Sequence, residues 1–463
     1  MTKTFAVTSP VDGRVYRTLA LAGPERIEAA LAAAHAAKAA WRATPLAARV
    51  AALAKMVDAM LVHRDAIAEE LTWQMGRPIA QTPGEMRGFE ERARHMLAIA
   101  GEALAPVTPA AKDGFERFVA REPLGLVFVV APWNYPFLTS VNAVIPALAA
   151  GNVVLLKHSH QTPLVAERYA EAAKAAGLPA GVFQILHTDH ADSAKIVGDS
   201  RVDHVCFTGS VEGGKAIQRA IGERFIGAGL ELGGKDPAYV RADADLAHAV
   251  ENLVDGAFFN SGQSCCGIER IYVHESLYAK FVDGFVALTK TYKLGNPTDK
   301  AVNLGPMVRP SAAEFVRGQI AEAVGQGAKS LVDPKHFPAD APGTPYLAPH
   351  VLVDVTHAMR VMTEESFGPV IGIMKVKSDD EAVALMNDSA YGLTAAIWTA
   401  DVAAAKRIGA TLATGTVFMN RCDYLDPALA WTGVKNTGRG ATLSTLGYEH
   451  LTRPKSFHLR TKI

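Results

Sequence analysis

The chain has 463 residues, 49% hydrophobic and 20% charged, which is enough to bury the core of one large α/β body or of two to three domains. Lys plus Arg and Asp plus Glu balance at 47 each, so charge gives no reason to expect nucleic acid or an anionic membrane as partner. No apolar run reaches the roughly 18 residues of a membrane span, the N-terminus lacks the apolar core of a signal peptide, and Cys206, Cys265, Cys266 and Cys422 are too few for a disulfide framework; a reducing cytoplasm is expected.

Pro24 follows Gly23 and opens an Ala-rich helix to about Trp41. Further helices reach about Leu104, punctuated by Pro45, Pro78 and Pro83. Residues 105–122 carry Pro106, Pro109 and Gly114, then the alternating Phe115–Ala120, a strand expected to pair with Lys455–Arg460 as a small sheet. From Gly125 the pattern becomes β-α alternation. Gly125–Val130, Val153–Leu156, Val182–Leu186 and Val205–Phe207 read as buried strands, with helices at Pro163–Ala176 and Glu212–Ile221 between them. The pattern resumes with strands at Pro237–Val240, Ile271–Val273, Val370–Val376 and Thr394–Trp398. Helices are expected at Leu246–Phe259, Leu277–Tyr292 and Asp380–Met386. Continuous apolar strands between amphipathic helices predict parallel sheets covered on both faces, hence two α/β lobes that meet near residues 232–236.

Several short segments carry chemistry. Phe259-Asn260-Ser261-Gly262-Gln263-Ser264-Cys265-Cys266 places a thiol in a Gly-containing turn after a helix, where a backbone N–H can face a reacting oxygen. Glu231 ends an apolar, Gly-rich stretch that should desolvate its carboxylate and raise its pKa. Gly209-Ser210 opens a glycine-containing turn between a strand and a helix, the setting in which backbone approaches a pyrophosphate. His158 and His160 stand two apart, but no further ligand cluster accompanies them and no metal is expected.

The run around Cys265, together with Ala131-Pro132-Trp133-Asn134-Tyr135-Pro136, Leu230-Glu231-Leu232-Gly233-Gly234-Lys235 and Glu364-Glu365-Ser366-Phe367-Gly368-Pro369, resembles the aldehyde dehydrogenase superfamily in order and spacing. The resemblance extends from Ser9-Pro10-Val11-Asp12-Gly13 to Gly433–Gly440. It implies a two-lobed α/β fold with a small β oligomerisation element: a dinucleotide-binding domain of residues 1–104 and 124–233, a catalytic domain of 234–445, and an oligomerisation element of 105–123 and 446–463. It also implies a homodimer or homotetramer. The implied activity is oxidation of an aldehyde to the acid. Cys265 would be the nucleophile, Asn134 an oxyanion donor with the Cys265 backbone N–H, and Glu231 the base that activates water. The presence of Glu231 favours hydrolysis over acyl transfer to coenzyme A.

For the cofactor, NAD or NADP, the resemblance implies Ala131, Pro132, Trp133, Lys157, Ser159, His160, Gly209, Ser210, Leu232, Glu365 and Phe367. His160 stands where the family often has a Glu that binds the ribose hydroxyls, so NADP should be tolerated. The acyl pocket would be lined by Tyr135, Leu138, Asn142, Phe259, Ser264 and Cys266, with Arg421, Asp423 and Leu425 from a later loop. Family members specific for succinate semialdehyde often carry Arg near the position of Asn142, which weakens that assignment, whereas Arg421 is a candidate for a distal carboxylate. The rivals are a semialdehyde dehydrogenase with a carboxylated substrate and a non-catalytic structural or binding protein on the same fold. The intact set of Cys265, Glu231 and Asn134 argues against the second.

Overall fold

The computed structural model describes residues 3–463. A hairpin of β1 (Thr4–Thr8) and β2 (Val15–Ala20) leads into α1 (Pro24–Ala43), α2 (Leu46–Leu61), α3 (Arg64–Met75) and α4 (Pro83–Ala103). The hairpin goes beyond the sequence reading, which placed no strands before Pro24: its strands are short and mostly exposed, so no apolar periodicity marks them. Next come β3 (Phe115–Pro123), β4 (Leu126–Ala131), α5 (Pro136–Ala149), β5 (Val153–His158), α6 (Leu164–Ala175), β6 (Phe183–Ile185), α7 (His190–Gly198), β7 (Val202–Thr208), α8 (Val211–Ile221) and β8 (Gly227–Glu231).

The second lobe comprises β9 (Asp236–Val240), α9 (Leu246–Phe258), β10 (Ile268–His274), α10 (Tyr278–Thr289), α11 (Pro310–Gly325), β11 (Lys329–Ser330), β12 (His350–Val353), α12 (Arg360–Thr363), β13 (Val370–Val376), α13 (Asp379–Asn387), β14 (Thr394–Trp398), α14 (Val402–Gly409) and β15 (Thr416–Met419). The chain closes with β16 (Trp431–Thr432), β17 (Gly438–Arg439), β18 (Ala441–Thr442), α15 (Ser444–Glu449) and β19 (Thr452–Arg460).

The first sheet runs β17-β8-β7-β4-β5-β6, parallel except for β17. The second runs β11-β12-β13-β10-β9-β14-β15, parallel except for β11. Their central strands are buried along their whole length, as near-continuous Val, Leu, Ile and Ala demand once helices cover both faces. Each lobe has its own apolar core.

The expected segment 234–445 does not stay in the second lobe. Gly438–Arg439 return to pair with Leu230–Glu231, and Thr442 reaches the Glu231 carboxylate, because the chain must close the open edge of the first sheet beside β8. β3 and β19 form the expected separate antiparallel ribbon, in unbroken register from Phe115↔Arg460 to Pro123↔Thr452.

Strand order decides where a site can form. β5 lies on one side of β4 and β7 on the other, so the chain reverses direction there and leaves a crevice beyond the carboxyl ends of β4 and β7. Ala131–Asn134 follow β4 and Gly209-Ser210 follow β7, one segment on each side of that crevice. In the second lobe Gly233–Lys235 precede β9, Cys265 precedes β10 and Glu365–Phe367 precede β13. The chemistry-bearing segments thus meet between the carboxyl edge of the first sheet and the amino edge of the second.

Candidate active site

The turn that carries Cys265 departs from α9 through three consecutive left-handed residues, Asn260 (φ 52°), Ser261 (φ 57°) and Gly262 (φ 70°). Such backbone is costly for residues with a side chain and persists only where its surroundings fix it. Here they do. Ser261 Oγ donates to the Gly305 carbonyl (2.8 Å), the Gln263 side chain accepts from the Val308 N–H (2.8 Å), and Asn260 Nδ2 donates to the Gln263 carbonyl (3.2 Å). Gly262 is required as well as permitted, because a Cβ there would lie 2.3 Å from the Gly368 carbonyl oxygen. At Gly234 a Cβ would meet the Cys265 carbonyl at 2.3 Å, so the Gly233-Gly234 pair lets the nucleophile loop approach the inter-lobe strand.

Asn134 is buried and its side-chain amide donates to the Gln263 carbonyl at 3.3 Å, two residues before Cys265. Its own carbonyl is held by Arg77, which also donates to Asn260 Oδ1 (3.2 Å) and pairs with Glu85. Glu85 Oε1 in turn accepts the Phe137 and Leu138 N–H groups (2.9 and 3.0 Å), the free donors at the start of α5. This buried Arg77–Glu85 pair ties α4, α5 and the Cys265 turn together.

Cys265 and Glu231 line one cavity of about 420 Å³. Glu231 ends β8; its carboxylate accepts from Thr442 Oγ1 (2.7 Å) and more weakly from Thr208 Oγ1 (3.4 Å). Burial pushes it above the ordinary carboxylate range, against those hydrogen bonds and the positive charge of Arg92. Tyr135, Leu138, Asn142, Phe259, Ser264, Cys266, Asp423 and Leu425 line the same cavity. Asp423, itself left-handed (φ 50°), accepts from Cys266 Sγ (2.9 Å) and Ser264 Oγ (3.1 Å).

Arg421 corrects the sequence expectation. It is exposed, outside the cavity wall, with its guanidinium 4.0 Å above the Tyr424 ring, where solvent and an aromatic face satisfy it better than the interior. Sequence reasoning also missed residues that do line the cavity: Arg77, Glu85 and Arg92 of α4 and its approach, and Asp255 of α9. The charged residues among them read as ordinary polar positions of helices, and only the packing shows them turned inward.

Outside the cavity wall stand further residues with the chemistry a dinucleotide requires. Trp133 and Phe367 stand edge to face from the two lobes, ring centroids 5.7 Å apart. Phe367 (φ 51°) and Ser366 are hung from Glu269, which accepts both backbone N–H groups (2.9 and 2.8 Å) and pairs with buried Lys235 (2.5 Å). The Glu365 carboxyl accepts the Gly234 N–H (2.9 Å); burial, then the nearby Glu269 charge, raises it to about 8. Ser210 caps α8 through the Gly213 N–H (3.1 Å), Gly209 N–H donates to the Glu231 carbonyl (3.0 Å), and Leu232 packs against Gly214. Glycines 209 and 213 also make room for the Phe207 ring, which a Cβ at either would strike.

Ala131 closes β4 in register with His158, and Pro132 follows it. Lys157, at the end of β5, has a buried amine with no protein partner, lowered to about 8 by burial. Ser159 Oγ accepts the Gln161 N–H (3.2 Å). His160 stacks on Phe5 of β1 (centroids 4.1 Å apart), with Nε2 unpartnered. Burial and then the Lys157 charge lower it to about 4, so it is neutral at physiological pH and the fixed charge there is that of Lys157. His158 turns away to the Pro136 carbonyl and Thr162, so the two histidines do not converge. A free amine, a capped helix start at the strand-order reversal, and the Trp133, Phe367 and Glu365 side chains fit a dinucleotide.

The sequence model of the aldehyde dehydrogenase family matches residues 1–457. The NAD(P)+ succinate semialdehyde dehydrogenase Sad of Escherichia coli K12 is 34% identical over 439 residues, 95% of this chain and 94% of that protein. The NADP+ succinate-semialdehyde dehydrogenase of Mycobacterium avium is 34% identical over 445 residues, 96% of this chain and 94% of that one. Among solved structures, an aldehyde dehydrogenase of Brucella melitensis biovar abortus superposes with a TM-score of 0.95 at 31% identity, covering 100% of this chain and 95% of its own. The succinate-semialdehyde dehydrogenase of Burkholderia pseudomallei does so with 0.94 at 31%, covering 99% and 95%. With the motifs in place across both lobes, this chain belongs to the aldehyde dehydrogenase family.

Proposed function

We propose that the chain oxidises an aldehyde to its carboxylic acid with NAD or NADP, and that its substrates include a short semialdehyde carrying a carboxylate. The observation that carries the reading is that Cys265 and Glu231 line one cavity between the lobes. The relatives named as succinate semialdehyde dehydrogenases support the substrate class.

The chain's own groups supply the following chemistry. Cys265 Sγ, as thiolate, adds to the aldehyde carbon and forms a thiohemiacetal. Its oxygen takes the charge and is held by the Cys265 N–H and the Asn134 amide; one such donor is worth roughly 10²–10³ in rate. When bound, NAD or NADP supplies the acceptor for the hydride that leaves that carbon. The resulting thioester on Cys265 is attacked by water whose proton passes to Glu231, and collapse of the adduct expels the thiolate and frees the acid. Glu231 must be ionised to act, so the rate should rise with pH as its elevated pKa is passed.

Lys157 and Ser210 would hold the dinucleotide's ribose and pyrophosphate, with either cofactor admitted because position 160 carries no carboxylate to repel a 2′-phosphate. Cytoplasmic residence and a homo-oligomer joined through β3 and β19 complete the reading; among the described residues no helix is long and apolar enough to cross a membrane.

The test is the absorbance of reduced nicotinamide while aliphatic, aromatic and carboxylated aldehydes are offered with NAD and NADP in turn. Turnover is expected with both cofactors, and Cys265→Ala should abolish it while still binding cofactor. Turnover retained in Cys265→Ala, or no oxidation of any aldehyde by protein that binds the cofactor, would refute the assignment.

A further inference from the structure

Arg92 lies on the face of α4 that lines the catalytic cavity, one helical turn beyond Gly88. A helical side chain leans towards the N-terminus of its helix, so Arg92 extends over the turn at Gly88. A Cβ at Gly88 would lie 2.4 Å from Leu138 Cδ2, so that glycine lets α5 close against α4 at this level. Arg92 as a whole residue is 8% exposed. Nη1 donates to the Leu138 carbonyl at 2.6 Å, whereas Nε and Nη2 have no protein partner and no carboxylate makes an ion pair with Arg92 among the described residues. An arginine remains charged even where burial opposes it, as burial does here. Taking such a charge out of water without an anion is unfavourable, and proteins ordinarily pair it.

A second observation points to the same spot. Asn142 follows Leu138 by one turn of α5, is 2% exposed, and its Oδ1 has no hydrogen-bond partner. It lines the cavity too. An amide turned over presents N–H instead of oxygen, so Asn142 can offer a donor beside the fork of Arg92.

Of the other charged groups facing this cavity, Arg87 is exposed to solvent, Glu231 accepts from Thr442 and Thr208, and most of the rest are engaged with protein partners. Arg77 is used by Asn260, Glu85 and the Asn134 carbonyl. Glu85 is used by Arg77 and the start of α5, Glu91 accepts from the Tyr424 hydroxyl (2.9 Å), and Asp423 is bound by Cys266 and Ser264. Asp423 and Asp255 add negative charge to the second-lobe wall, so an anion is disfavoured there and favoured at Arg92.

We propose that Arg92, assisted by Asn142, binds the distal carboxylate of the aldehyde substrate and selects carboxylated semialdehydes over uncharged aldehydes. The proposal rests on the aldehyde-oxidising reading above and adds the group that recognises the substrate. Planar, forked N–H donors match a carboxylate in two parallel hydrogen bonds, which a lysine ammonium cannot reproduce.

The experiment compares kcat and KM for succinate semialdehyde and butanal in wild type, Arg92→Gln and Arg92→Lys. Wild type should prefer the semialdehyde. In Arg92→Gln the semialdehyde-to-butanal ratio of kcat/KM should fall by roughly 10²-fold, mainly through KM, with Arg92→Lys in between. A ratio unchanged in Arg92→Gln overturns the assignment and leaves aldehyde oxidation standing. Equal loss on both aldehydes, with the acid limb of the pH profile moved, overturns it in favour of a role in tuning Glu231. No oxidation of any aldehyde by wild type defeats the functional reading itself, and a wild type that prefers butanal removes the carboxylated substrate and this proposal together. Should the variants not fold, wild type alone decides: succinate should protect Cys265 from iodoacetamide at roughly tenfold lower concentration than butyrate, and equal protection by the two overturns the proposal.

Discussion

Glu365 shows how one residue can carry opposite demands. Its carboxyl rests against Gly233 and Gly234, where a Cβ at Gly233 would strike it at 2.3 Å, and the Gly234 N–H is its single hydrogen bond. Burial raises it from the usual 4.5 to about 8, with Glu269 adding repulsion. Below pH about 4.5 the folded and unfolded chains both hold this proton, and it does not affect stability. Between about 4.5 and 8 the unfolded chain releases the proton while the folded chain keeps it, so stability falls as pH rises; above about 8 the loss is complete. Glu365→Gln cannot ionise. The apparent Tm of the cofactor-free variant relative to wild type should therefore climb across that pH window. A constant difference from pH 4.5 to 8 would show that Glu365 titrates normally in the folded protein.

Among the elements, the junction of α4, α5 and the Cys265 turn depends on the Arg77–Glu85 pair. Both side chains are almost wholly buried, so losing one leaves the other charged and uncompensated, at a cost of about 3–5 kcal/mol. Glu85→Ala should lower the apparent Tm and reduce kcat, because Arg77 then loses the partner that holds it on the Asn134 carbonyl. Glu85→Gln, which still accepts from the α5 N–H groups, should recover part of the stability. Equal Tm for Glu85→Ala and wild type would mean that the pair is dispensable.

This junction also shows where sequence legibility ended. Strands such as Val153–Leu156 and Thr394–Trp398 were readable because central parallel strands must be largely apolar. The Cys265, Glu231 and Asn134 segments were readable because each is a run of several residues whose order and spacing match a family pattern. Arg77, Glu85, Glu269 and Arg92 were not. A charged residue on a helix or beside a loop gives no local sign of facing inward, and its partners can lie far along the chain, as Asn260 does from Arg77 and as Ser366 and Phe367 do from Glu269.

At the scale of the whole molecule, the β3–β19 ribbon is the part a single chain leaves unfinished. The two strands pair with each other over nine residues; β3 is otherwise bridged only at Val119 by Val107 and at Phe115 by Lys112, so most of its outer edge and that of β19 are unpaired among the described residues. A lone two-stranded ribbon is marginal in water. Cross-strand stacking of Phe118 on Phe457 (4.5 Å) and Phe115 on His458 (4.9 Å) stiffens it, and Glu122, linked to Arg42 and Lys455, fixes its base to the first lobe. A stiff ribbon with free edges suits pairing with a second copy of the chain, which would cover those edges. Deleting residues 455–463 removes most of one strand and no residue of either lobe's core. By light scattering the full chain should run as a dimer or tetramer and the truncated protein as a monomer. Its apparent Tm should fall and lose dependence on protein concentration, since association stabilises only the form that can associate. A truncated chain of the same assembled mass as the full chain would place the subunit contact elsewhere on the lobes.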